Sequence, residues 1–201
     1  MLRSAALLAL AVLAAAPDSA RAQKVTATDI HSHPFSADFA AGGKLRLRVR
    51  SGDVQILGTD EEKIAVTLSG QNAHEAQKLK VEFERRGDTG EMRISGGPHD
   101  GLTITIRIPS RTDLHARIPF GDVHVENVAG NHDVELHAGD LTVDVGDPAD
   151  YAEVDASVVT GDLDAAPFDE SHGGLFRSFK SSGTGRYRLH AHVGAGDLTL
   201  R

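Results

Sequence analysis

Residues 121–147 constrain the fold more than any other part of this chain. They consist of three consecutive nine-residue units, each opening on glycine: Gly121-Asp122-Val123, Gly130-Asn131-His132 and Gly139-Asp140-Leu141. Position two is Asp, Asn and Asp; position five is Val125, Val134 and Val143; position six is Glu126, Glu135 and Asp144. Glycine supplies a turn conformation with positive φ, and Asp or Asn bonds the turn backbone through its side chain. About five residues of strand follow each turn, so a unit is one turn plus one strand and two units form an 18-residue rung. Such units cannot bury their apolar side alone, and stacking supplies the core.

Gly-Asp pairs recur outside this segment, at Gly52-Asp53, Gly161-Asp162 and Gly196-Asp197. Earlier in the chain, Lys44-Leu45-Arg46-Leu47-Arg48-Val49-Arg50 alternates strictly, the pattern of a strand with its aliphatic side chains inward and its bases outward. Strands are likewise predicted at Val54–Leu57, Lys63–Leu68, Leu79–Phe83, Glu91–Ser95, Leu102–Ile108, Arg186–Val193 and Asp197–Leu200. Residues 72–78 are the one helix candidate, capped by Asn72. Residues 23–43 read as an irregular lead-in, and the Gly/Ser-rich stretch 173–185 as a loop. With 4% aromatic residues, a narrow interior of Val, Leu and Ile is expected. The expected fold class is all-β: a β-solenoid or β-roll of stacked short strands, forming one domain over 44–201.

The N-terminus has Arg3, an apolar run from Ala5 to Ala16 and the triplet Ala20-Arg21-Ala22, the layout of a secretory signal peptide over 1–22. The run is shorter than the about 20 residues a membrane span requires. The expectation is an exported protein, periplasmic or at the cell surface, with no transmembrane span after cleavage. No cysteine is present, which excludes a disulfide framework, a thiol nucleophile and a Cys-ligated metal. The net charge of −8 argues against nucleic acid as a partner. Fourteen Asp/Glu and no Lys or Arg fall within 121–172, so the acidity is local.

The Gly-Asp-Val/Leu turns, the short helix after a first meander and the closing run Tyr187–Leu198 resemble a bacterial envelope family of β-strand-repeat, adhesin-like domains of unknown function. The resemblance covers roughly residues 40–201. It implies stacked short strands and carries no catalytic residues over. This chain departs from the regular pattern at Pro148–Tyr151 and at Pro167–Gly185.

An 18-residue rung sets Glu126 beside Asp144 and Asp122 beside Asp140. Like charges so placed need solvent or a cation, and hard oxygen ligands suit Ca²⁺. Asp122, Glu126, Asp140 and Asp144 are therefore the calcium candidates, although the double glycine of the calcium-binding nonapeptide is missing. His31/His33 and His190/His192 have i, i+2 spacing, which on a strand shares one face. The stripe Lys44, Arg46, Arg48 and Arg50 suits an anionic glycan or lipid headgroup; the commoner use of such a stripe is to guard a sheet edge. No nucleophile elbow, His-Glu-x-x-His or P-loop occurs. The expected function is a non-enzymatic binding or scaffold module at the envelope, with a glycan or protein partner. The alternatives are a polysaccharide-active enzyme and a calcium-stabilised repeat.

Overall fold

A computed structural model describes residues 22–98 and 101–201, with the backbone alone for His74, Glu75, Glu170 and His172. The expected signal peptide lies outside the described residues apart from Ala22. The chain opens with β1 (Gln23–Thr28), β2 (Phe35–Asp38), β3 (Lys44–Val49), β4 (Asp53–Thr59) and β5 (Lys63–Ser69). A 3-10 segment, Ala73–Lys78, leads to β6 (Lys80–Arg86), β7 (Thr89–Ser95) and β8 (Thr103–Pro109). Next come β9 (Asp113–Phe120), β10 (Val123–Glu126), β11 (His132–Ala138) and β12 (Leu141–Val143). The chain ends with β13 (Tyr151–Ala165), β14 (Glu170–Ser182), β15 (Tyr187–Ala195) and β16 (Leu198–Leu200).

All sixteen strands belong to one sheet, ordered β1-β6-β7-β3-β9-β11-β15-β13-β16-β12-β10-β4-β8-β5-β2, with β14 on β13. β13 pairs β15 through its first half and β16 through its second, so the sheet turns back on itself at this strand. The result is a nearly closed, barrel-like sheet rather than the β-solenoid or roll expected. Two features separate it from a simple stack. β1, β2, β5 and β6 pair antiparallel with their neighbours. The last turn-and-strand pair, β15–β16, lies between β11–β12 and β13, out of chain order. Within the centre the 18-residue offset holds: Leu114 pairs His132 and Val123 pairs Leu141, both in parallel register.

Other expectations shift locally. Residues 23–43 are not irregular throughout, because β1 and β2 extend the two ends of the sheet. Residues 173–185 are largely strand: β14 gains a hydrogen-bonded partner along most of β13, which outweighs the poor strand propensity of Gly173 and Gly174. The helix expected at 72–78 is a 3-10 segment with a kink at Ala76.

The core lies between the two halves of the sheet, lined by alternate residues of each strand. Leu45, Leu47 and Val49 point in from β3 and Leu114, Ala116 and Ile118 from β9, all essentially inaccessible. Each buried Leu, Ile or Val side chain among these stabilises the fold by about 1.5–3 kcal/mol. Between β2 and β6, Phe35 and Phe39 set their rings edge-on to Phe83, with centroids 6.2 and 6.3 Å away.

Candidate functional site

Outward side chains are what this sheet offers a partner, and its corners fix where they stand. The Gly-Asp pairs at 52–53, 121–122, 139–140, 161–162 and 196–197 turn the chain from one half of the sheet to the other, whereas Gly87-Asp88 closes the β6–β7 hairpin. Gly121 and Gly139 have φ of 115° and 129°, which L side chains rarely adopt. A Cβ on Gly139 would meet the Gly121 carbonyl oxygen at 2.3 Å, so the corners stack too closely for any other residue. The aspartates that follow form a ladder. The Asp140 N–H donates to Asp122 Oδ1 (3.0 Å), the Asp197 N–H to Asp140 Oδ1 (2.9 Å) and the Asp162 N–H to Asp197 Oδ1 (2.8 Å). Asp53 Oδ1 accepts from the Asp122 N–H at 3.3 Å.

This geometry splits the four calcium candidates. Asp122 and Asp140 are corner residues bound to backbone. Glu126 and Asp144 stand four residues further on, about 13 Å along the strands. There they converge with His124, the ligand atoms lying within 4.8 Å of one another. The Arg201 guanidinium already occupies this cluster, donating from Nε to Asp144 and from Nη2 to His124 Nε2 (2.8 Å). The site therefore carries a fixed cation of the protein's own.

The histidine pairs behave differently from one another. His31 and His33 lie in the turn after β1, not on a strand, and His33 approaches Asp29 at 3.5 Å. His190 and His192 share the outer face of β15. His192 Nδ1 is 2.9 Å from Ser157 Oγ, and His190 joins Asp133 and Glu135 in a second convergent group. Asp133 is the hub of that region. His115 Nδ1 is 2.7 Å from its Oδ2, and Arg117 Nη2 donates to the same oxygen at 3.0 Å while Arg117 Nε reaches Glu135 at 3.0 Å. Burial pushes the Asp133 carboxyl up, but the Arg117 hydrogen bonds and charge, with His115, outweigh it and hold the group below the usual carboxylate range.

β3 carries the densest positive charge. It is an interior strand, flanked by β7 and β9, so the edge-guarding use of its basic stripe does not apply. Arg48 stands in register with Arg93 on β7 and Arg117 on β9, with Arg46 two places back on β3 and Arg50 just past its end. These five arginines form a cross on the outer face. Glu82 neighbours Arg93 from β6, Glu135 neighbours Arg117 from β11 and Glu91 on β7 faces Arg46, so Arg48 at the centre has no acidic neighbour in register. Among the described residues no carboxylate pairs with the Arg48 side chain. Alternation with Met92/Ile94 and Ala116/Ile118 marks Arg93 and Arg117 as outward-facing in the sequence. Their meeting with Arg48 depends on long-range parallel register, which the sequence alone does not reveal.

No family model matches the chain, and no curated protein matches it. Among solved structures it is similar to a "putative cell adhesion protein" from Clostridium sporogenes, with TM-score 0.48 and 16% identity over 90% of this chain and 99% of that one. It is also similar to a "putative adhesin" from Bacteroides fragilis, with TM-score 0.37 and 10% identity over 89% and 97% of the two chains. At these scores the likeness carries no argument about function.

Proposed function

We propose that this chain is an exported, non-enzymatic binding or scaffold module of the bacterial envelope, working through the outer face of β7, β3, β9, β11, β15 and β13. One observation carries the reading: this face is a continuous array of polar side chains held in fixed register by stacked strands. Its buried backing is apolar and rigid, so the array is pre-organised and little ordering opposes binding. The acids that catalysis would call upon are engaged, Asp133 and Glu135 by Arg117 and Asp155 by Lys180 at 2.8 Å. The Gly-Asp corners keep the strands in step, which holds the outward side chains in register. Applying the purified protein to an array of envelope glycans tests the reading. Retention on at least one glycan class, without turnover of the glycan, is expected. Cleavage of a bound polysaccharide, or silence across the array, would overturn it.

A further inference from the structure

We propose that the arginine cross centred on Arg48 binds a linear acidic polysaccharide. The inference rests on the binding-module reading and specifies the chemistry of its ligand.

The interior position of β3 removes the protective explanation for its bases, as shown above. The register adds a cost. Like charges directly opposite one another destabilise a sheet, yet Arg48 faces an arginine on each side, with Arg46 two places back on β3 and Arg50 just past its end. Arg93, Arg117 and Arg46 have acidic neighbours in Glu82, Glu135 and Glu91; Arg48 at the centre has none in register. An anion from outside the chain would offset that field.

The layout favours a chain of anions over a single ion. The backbone positions that carry the arginines repeat about 4.8 Å apart across strands and about 6.6 Å apart along the chain, within reach of successive anions on one polymer. Each guanidinium is a planar fork that takes carboxylate or sulfate through two parallel hydrogen bonds. Beside the cross lies an open depression of about 560 Å³, lined in part by Arg48, Arg50, Arg93, Arg117, Pro119 and His137. Its rim mixes cations with apolar surface, which matches a sugar ring that is polar at its edge and apolar on its C–H face. A bilayer is a poorer fit, because stable membrane attachment pairs basic residues with inserted apolar groups. Of the exposed large apolar side chains among the described residues, Phe120, Leu175 and Phe176, only Phe120 at the end of β9 stands near the cross, and its ring is set edge-on against His137, so one ring rather than a group is available there for insertion.

The test titrates the purified protein at low salt with polygalacturonate, dextran sulfate, neutral dextran and phosphatidylglycerol vesicles. Both acidic polymers should bind and neutral dextran should not. Arg48→Gln should weaken binding about tenfold, the loss of one charge-assisted contact. Arg107→Gln, which removes an outward arginine from β8 on the other half of the sheet, should leave binding unchanged. The melting temperature of Arg48→Gln should match or exceed that of the parent, so a folding defect cannot mimic the result. Equal weakening by both substitutions would reduce the effect to general adsorption and overturn the proposal. Vesicle binding without polymer binding would reassign the cross to a membrane and overturn it equally. Retention of neutral glycans alone would overturn this inference and leave the binding-module reading standing, whereas failure to bind any glycan would remove both.

Discussion

Two parts of this molecule repeat one charge in register across stacked strands, and they resolve the repulsion in opposite ways. At the corners, the aspartates from Asp53 to Asp162 stand one above another, and each of Asp53, Asp122, Asp140 and Asp197 accepts a backbone N–H from its neighbour. On the face of β3, the arginines around Arg48 meet with no such partner at the centre. The comparison teaches that a column of like charge is structural where the backbone supplies its counterpart. It is a candidate for function where nothing in the chain does. Charge repetition in a sequence cannot separate the two cases.

The largest expected effect comes from breaking the corner that keeps both columns in step. Gly139→Ala forces a Cβ toward the Gly121 carbonyl at 2.3 Å and places alanine at φ 129°. A loss of about 4 kcal/mol is expected from strain and backbone displacement together. Urea unfolding followed by circular dichroism measures it. A loss below about 1 kcal/mol would show that the corners tolerate separation, and the aspartate ladder would lose its structural reading.

The next effect comes from the interior, where a third column runs Leu45, Leu114, His132, Leu189 and Val154. His132 is the one polar member; it is 2% exposed, and neither ring nitrogen has a hydrogen-bond partner among the described residues. Burial is the main cause that pulls its pKa down from 6.5 to about 4. The unfolded chain therefore binds a proton between those values that the folded chain refuses. Stability is complete above pH 6.5 and falls as the pH drops toward 4, by about 3 kcal/mol. His132→Leu, which matches the column, should flatten that part of the pH–stability curve. Parallel curves for the two proteins would refute this account.

Much of the fold is legible in the sequence for a local reason. Alternation, as in Lys44–Arg50, reports which face of a strand is buried, and a Gly-Asp pair followed by Val or Leu reports a corner, whereas Gly87-Asp88-Thr89 is a hairpin turn. What is not legible is order. Nothing local says that Leu189 stacks directly on His132 while Val154 lies beyond it, because that choice is made when β13 and β14 form a hairpin past the next position. The candidate site depends on the same long-range register. Arg48 is visible as one of a stripe, but Arg93 and Arg117 become its neighbours only through pairings across 45 and 69 residues. The calcium reading fails to see Arg201 for the same reason, since that residue reaches Asp144 from 57 positions away.

A milder test acts on one step of the ladder. Asp140→Ala removes the acceptor for the Asp197 N–H and leaves that donor to water. A loss of about 1 kcal/mol is expected, because the group is exposed and solvent takes over its bond. Thermal melts of the parent should superimpose with added Ca²⁺ and with chelator, since Asp122 and Asp140 are bound to backbone and Arg201 occupies Asp144. A rise in melting temperature with Ca²⁺ would restore the cation reading for Glu126 and Asp144.

The smallest effect separates the two columns most directly. Removing a charge from the ladder costs stability, whereas removing one from the cross relieves repulsion. Arg48→Gln should therefore raise the melting temperature by about 1 °C at low ionic strength. Salt screens exposed charges over about 8 Å at physiological strength and about 3 Å at 1 M. Neighbouring arginines in register stand about 4.8 Å apart, so the difference between the two proteins should close as salt rises toward 1 M. An acidic polymer should act like salt on the parent, raising its melting temperature toward and past that of the variant. A variant that melts lower than the parent at every ionic strength would mean that Arg48 has a partner within the chain, and the contrast between ladder and cross would collapse.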